Sequence, residues 1–236
     1  MSLRPLGSNP IVSRRLLRGA PSATRNDGKN IMTNFDERAK NWDSDPKKVE
    51  RARVVADAIR EAVPLSITMN ALEYGCGTGL LSFALQEDLG QITLADTSKG
   101  MLDVLGEKIA NSGVTNMHPV RLDLAIDPLP AVKYHITYSL MVLHHIHDAR
   151  GILNRFYDIL EPNGYLIVAD LDKEDGSFHT DGMTDVHMGF EQSELKKWVE
   201  DAGFGNIQFS TAYEIKREID SKEKTFPVFL MVAQKL

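Results

Sequence analysis

The sequence predicts an α/β fold: a seven-stranded, mostly parallel sheet with helices on both faces and an antiparallel last strand. Three observations lead there. From Pro64 onward, short β-prone runs alternate with segments of helical apolar spacing, the pattern of strands joined by crossover helices. The first run ends in a turn holding Gly75, Gly77 and Gly79, which opens onto the apolar run LLSFAL. The last two runs are joined by EIKREIDSKEKT, charged and too short for a crossover helix, so the final strand is expected to run antiparallel to its neighbours.

In chain order, residues 1–31 carry six basic side chains (Arg4, Arg14, Arg15, Arg18, Arg25 and Lys29) against one acid, Asp27. With Pro5, Pro10, Pro21 and no apolar period, this stretch reads as a disordered leader. A targeting peptide, a remnant of cloning and an extension upstream of a start at Met32 all fit such a composition. Beyond it, Val49, Ala52, Val54, Val55, Ala58, Ile59 and Ala62 recur at helical spacing. Asp45 is placed to cap this helix, Pro46 suits its first turn, and Pro64 marks its end. Strands follow at 69–74, 91–96, 117–122, 134–141, 165–171, 206–213 and 226–234. Helices fall at 79–89, 98–111, 149–160 and 191–202.

Composition narrows the function. The chain has 236 residues with 42 % hydrophobic and 25 % charged side chains, ordinary for one globular domain. The longest apolar runs fall far short of the ~20 residues of a membrane span. A formal net charge of -6 gives no general attraction to nucleic acid. The single cysteine, Cys76, supports neither a disulfide nor a Cys-rich zinc site, and points to a reducing, cytoplasmic setting.

The chemistry is concentrated at Glu73-Tyr74-Gly75-Cys76-Gly77-Thr78-Gly79. Strand, glycine turn and helix in this order make a ligand-binding switch point, with a helix N-terminus offered to an anionic group; a plain chain reversal is the simpler reading. A dinucleotide fingerprint would need glycine at position 80, where the chain has Leu80. Asp96 closes the second strand, 21 residues after Gly75, where a carboxylate meets a ribose diol. Capping of the next helix is its alternative role.

EYGCGTG (73–79), ADTSKGML (95–102), RLDLA (121–125), SLMVLHHI (139–146) and LEPNGYLIVADL (160–171) resemble, in order and spacing, the successive motifs of class I S-adenosylmethionine-dependent methyltransferases. The likeness is greatest to a small-molecule branch that includes quinone-biosynthesis methyltransferases. There an FDxxAxxWD segment precedes the cofactor domain; here it is Phe35, Asp36, Ala39, Trp42 and Asp43. The resemblance implies a Rossmann-like sheet, a helical lid segment at 32–63 and an S-adenosylmethionine-binding domain at 64–236. It implies that Glu73, Tyr74, Gly75, Gly77 and Gly79 surround the methionine part of S-adenosyl-L-methionine. Asp96, with Thr97, would hold the ribose and Met101 would pack on the adenine. Asp123 would accept from the adenine amino group beside Leu124, although it also suits a turn before Pro128. Ser139, Leu140 and Met141 would face the sulfonium.

A sulfonium methyl is already activated, so positioning carries much of its transfer. Where the acceptor must lose a proton, histidine is the natural base. His144, His145 and His147 follow the fourth strand, and His179 and His187 lie in the loop DGSFHTDGMTDVHMGF. His145 and His187 are the candidate catalytic groups, with a structural or cofactor-adjacent role as the alternative for His144 and His145. Metal is not expected, because the side chains of HHIH point in different directions. The function expected is methyl transfer to a small-molecule acceptor; a nicotinamide-dependent oxidoreductase and a non-catalytic cofactor-binding regulatory protein are the competing readings.

Overall fold

The computed structural model describes residues 35–179 and 186–236. The expected leader at 1–31 and Met32 lie outside the described residues, as does 180–185 of the long loop. Residues 35–38 form a helical turn that continues as a 3-10 turn, Ala39–Ser44. Helix α1 spans Pro46–Ala62, and the Asp45 carboxylate accepts from Lys47 N at 3.0 Å, the cap and first-turn proline that the sequence indicates. Then come β1 (Ala71–Tyr74), α2 (Leu80–Leu85), β2 (Ile92–Asp96), α3 (Lys99–Ser112), β3 (Met117–Arg121), β4 (Tyr134–Leu140) and α4 (Ala149–Ile159). The chain ends with β5 (Leu160–Leu171), α5 (Gln192–Asp201), β6 (Phe204–Ile219) and β7 (Lys222–Lys235).

All seven strands join one sheet in the order β3-β2-β1-β4-β5-β7-β6. The first five in chain order pair in parallel, and β7 runs antiparallel between β5 and β6. The order reverses between β1 and β4, so their C-terminal ends diverge into a crevice. The sheet buries both faces. Along β5, Leu166 and Val168 join the apolar layer of α4 and α5, while Ile167, Ala169 and Leu171 join the layer of α1, α2 and Leu105 of α3, the two-residue alternation of a strand covered on both sides.

The sequence reading falls short at the C-terminus. The charged linker EIKREIDSKEKT is not a loop: β6 and β7 run through it and reverse at Asp220 and Ser221, whose φ values of 50° and 60° form a tight hairpin turn. Ile215 and Ile219 alternate with polar residues there, and Ile215 and Phe226 bury against the main core. The paired arm extends past the end of β5, where Leu171 meets Val228. At the opposite edge, four of the five residues of β3 are exposed and Pro119 sits mid-strand, a residue tolerated only at a sheet edge. Helix α2 is shorter than the expected 79–89 at both ends: Gly79 takes left-handed φ and caps it, so it starts at Leu80, and it stops at Leu85, with 86–88 forming a turn.

One polar cluster sits inside this core. Glu73, only 3 % exposed, accepts from Ser82 Oγ of α2, and Ser82 Oγ lies 2.7 Å from Tyr138 Oη of β4. Burial pushes the Glu73 carboxyl from 4.5 up to about 8. The folded chain therefore keeps this proton through a range in which the unfolded chain has released it. The resulting stabilisation is complete below pH 4.5 and is lost as pH rises through about 8. Glu73→Gln is expected to flatten thermal stability between pH 5 and 8 and to raise the melting temperature at pH 8, an effect on the order of a few kcal/mol. Denaturation scans across pH check this; a variant with the parent's pH slope would contradict it.

Candidate functional site

The glycine turn bridges β1 and α2. Gly75, Gly77 and Gly79 all take positive φ (69°, 53° and 79°), which other residues adopt only at a cost. Their surroundings differ. A Cβ on Gly75 would lie 2.5 Å from Val142, and one on Gly79 would lie 2.6 Å from Leu105, so these two positions are closed by packing. A Cβ on Gly77 would meet nothing nearer than Met101 Sδ and Trp42 Nε1, both at 3.9 Å, so Gly77 faces the crevice. The turn is tied to the end of β2: Gly75 N and Cys76 N donate to Ala95 O at 2.8 and 3.0 Å, and Gly77 N donates to Asp96 Oδ2 at 2.7 Å.

Asp96 also accepts from Ser98 N at 2.8 Å through Oδ1, so the capping role and a place at the crevice coexist. Burial raises its pKa, opposed by the Ser98, Gly77 and Thr97 amides. Met101, 2 % exposed, lies one turn into α3 with its amide on Ser98 Oγ at 3.2 Å. On the far side, Tyr74 Oη donates to Asp123 Oδ1 at 3.4 Å. The same oxygen accepts from Ala125 N at 2.9 Å, the turn-forming use that the sequence left open. Leu124 is fully buried, and its carbonyl accepts from Arg155 Nε at 2.8 Å. Tyr74, Gly77, Asp96, Thr97, Met101 and Asp123 thus ring the ends of β1 to β3. Glu73 does not join them, because its carboxyl lies beneath the turn on Ser82.

The N-terminal segment closes over this ring. Asp36 Oδ1 accepts from Ser98 Oγ at 2.5 Å and Gly100 N at 2.8 Å, contacts that lower its pKa. Asp43 accepts from Thr78 Oγ1 at 2.5 Å and from Lys108 Nζ at 2.6 Å, and Lys108 also reaches Thr78 O. Trp42 is held over Gly77 and stacked by Lys48, whose Nζ stands 3.7 Å from the ring centroid. These two acids attach the segment to the turn and to α3, a role that their place in the FDxxAxxWD run does not by itself specify.

At the end of β4, Ser139 is buried and Met141 takes φ 58° while its amide donates to Ala169 O. This is a strained conformation for a side-chain-bearing residue, and it turns the chain into the 3-10 turn Leu143–His145. His144 Nδ1 meets Asp170 Oδ1 at 2.5 Å, both fully buried. The His145 ring lies 5.4 Å from Phe35, which in turn contacts Trp42 at 5.9 Å. Desolvation, reinforced by His144, lowers the His145 pKa to about 3, so it stays neutral and accepts a proton reluctantly. His187 is not gathered here. Its amide donates to His144 O at 2.8 Å, but its Nε2 donates to Ile146 O at 3.0 Å and its ring lines a 240 Å³ surface pocket with Lys173 and Trp198. His179, by contrast, lies beside His144 and His145. Asp170 was detectable only as a lone acid within the apolar run YLIVADL.

These groups suit a ligand with a nucleoside at one end. A carboxylate closes β2, the backbone at Gly77 is open to close approach, and Met101 offers an apolar wall. Trp42 Nε1 and Met101 Sδ lie nearest to Gly77 on this side.

Comparisons with known proteins agree with this geometry. A family model described as "Methyltransferase domain" matches residues 48–209, more than half of the chain. An uncharacterised methyltransferase of Schizosaccharomyces pombe is 33 % identical over 118 residues, covering 47 % of this chain and 42 % of that protein, so the match spans less than half of that relative. A ubiquinone biosynthesis O-methyltransferase of Coxiella burnetii is 22 % identical over 214 residues, with 83 % of this chain and 91 % of that protein covered. Among solved structures, a SAM-dependent methyltransferase from Aquifex aeolicus shares the fold at a TM-score of 0.63 and 19 % identity, covering 85 % of this chain and 98 % of that one. Nothing in these comparisons favours a nicotinamide enzyme. The turn at Gly75–Gly79, the carboxylate at the end of β2 and the family match over 48–209 place the chain in the methyltransferase-domain family, as an S-adenosylmethionine-dependent methyltransferase.

Proposed function

We propose that the chain methylates a small-molecule acceptor held between the segment at 35–44 and the end of β4, and that Asp96, Met101 and the backbone at Gly77 hold the cofactor. The observation that carries this reading is the closure of Phe35 and Trp42 onto His145 and Gly77. These rings give the end of β4 an aromatic and imidazole lining, a character suited to a compact, partly aromatic acceptor. The quinone-biosynthesis relative fits this class. No helix among the described residues is long and apolar enough to cross a membrane.

When bound, the cofactor supplies an electrophilic methyl on a positively charged sulfur. The protein's part is to orient the acceptor and keep water out. Aligned intramolecular reactions gain on the order of 7–11 kcal/mol from such positioning. Phe35 and Trp42 line the acceptor end, Asp36 and Asp43 hold them there, and the strained Met141 fixes where the chain leaves β4. His145 serves as a neutral wall and hydrogen-bonding partner, because its depressed pKa makes it a poor base. His187, bonded to Ile146 O, is proposed to fasten the loop after β5 to the turn after β4 in place of proton removal.

Three outcomes are expected. Asp96→Ala should weaken S-adenosylhomocysteine binding by ~10–100-fold in calorimetry, the loss expected for hydrogen bonds to a charged group; unchanged affinity would remove Asp96 from the site. Asp36→Ala removes the two hydrogen bonds to Ser98 and Gly100 at the start of α3 and should speed hydrogen exchange at 35–44, with S-adenosylhomocysteine restoring protection. Equal exchange with and without the nucleoside would show that the segment is no lid. A labelled-methyl assay over phenolic, amine, nucleic-acid and protein acceptors should give turnover only with small molecules; turnover confined to a macromolecule would overturn the acceptor class.

A further inference from the structure

The side chains expected to diverge in HHIH do not all do so. His144 and His145 share the 3-10 turn after β4, and their ring centroids lie 4.0 Å apart. His179, from the loop after β5, approaches them at 5.2 and 5.4 Å. One ring nitrogen from each of the three lies within 4.8 Å of the other two. His147, the third histidine of the run, takes no part; His179, 32 positions further along, does.

We propose that His144, His145 and His179 form a three-histidine site for a divalent transition ion of the zinc class. Three imidazole nitrogens suit zinc, cobalt, nickel and copper, and leave calcium and magnesium disfavoured. Three protein ligands also leave a coordination position open, as in catalytic and not structural zinc sites.

Each ligand is prepared differently. His144 Nδ1 is bonded to the buried carboxylate of Asp170 at 2.5 Å, which fixes the ring and leaves Nε2 as its lone-pair nitrogen. A carboxylate behind a histidine is the usual outer support of a metal ligand, worth ~10–100-fold in affinity. His145 Nδ1 is buried with no hydrogen-bond partner among the described residues. A buried imidazole nitrogen without a partner is costly unless something accepts its lone pair. His179 is delivered by the β6–β7 arm. Arg217 lies 3.9 Å over the Phe178 ring and donates to the Phe178 carbonyl, while Lys224 binds Asp175 and Ser177. This fastens the stretch just before His179 to the arm.

Nitrogens around a tetrahedral zinc at 2.0–2.1 Å sit ~3.4 Å apart. Binding therefore draws the three together by roughly an ångström, within reach of side-chain rotation. The ion would stand beside Phe35 at the proposed acceptor end, its open position facing an oxygen or nitrogen of the acceptor. That last assignment rests on the proposed function; the metal site itself does not.

The test uses the full chain, stripped with a chelator and titrated with Zn²⁺ against a chromophoric indicator, and separately loaded with Co²⁺. The site predicts uptake of one Zn²⁺ per chain, a four-coordinate Co²⁺ spectrum, and three imidazole ligands by X-ray absorption. His179→Ala should lose at least tenfold in affinity while still binding S-adenosylhomocysteine, and His118→Gln, on the exposed face of β3, should keep the parent's affinity. Failure of the parent to take up one equivalent, fewer than two imidazole ligands on the native chain, or undiminished affinity in His179→Ala each overturns the site. The absorption measurement needs no variant and decides the question even if a substitution disturbs folding. Asp96→Ala, defective for the nucleoside, should still bind Zn²⁺, which separates failure of this site from failure of the methyltransferase reading.

Discussion

Everything at the functional end of the molecule depends on one short contact, the Gly77 amide on the Asp96 carboxylate at 2.7 Å. It joins the tip of β1 to the tip of β2 across the point where the strand order reverses. The positive φ values at Gly75, Gly77 and Gly79 let the chain double back closely enough for the amide to reach. The sheet supplies the rest: with α1, α2 and α3 over one face and α4 and α5 over the other, the strand ends cannot drift relative to one another.

From that anchor the closing segment follows. Asp36 and Asp43 lie seven residues apart, each directly after one residue of the Phe35–Trp42 contact, and bind different partners, one at the start of α3 and one at the glycine turn and Lys108. The aromatic rings contribute apolar cover, and the carboxylates fix where it lies. Either alone would be weak at a surface; together they set the height of the cover above Gly77.

The fold was readable because its signals are local. The alternation from Pro64 onward, the cap at Asp45 and the spacing from Gly75 to Asp96 each lie within a few turns of chain. The β6–β7 arm was hidden because charged side chains fill its solvent-facing positions, masking the alternation of Ile215 and Ile219. The gathering of His179 with His144 and His145 was hidden for a related reason: it depends on Arg217 and Lys224, some forty residues beyond the loop they hold. The seven-residue window around HHIH contains no trace of that pairing, and the neutrality of His145 arises from burial that only the assembled layers produce.

An open sheet also faces a hazard unrelated to chemistry, since its outermost strands offer unpaired amides and carbonyls to any passing strand. Here Pro119 removes a donor from the middle of β3, and the run Glu214, Lys216, Glu218 puts alternating charge along β6. Neither border invites an eighth strand. The same charged stretch that disguised a hairpin in the sequence therefore also guards against uncontrolled stacking, and neutralising those side chains to stiffen the arm would trade away its solubility.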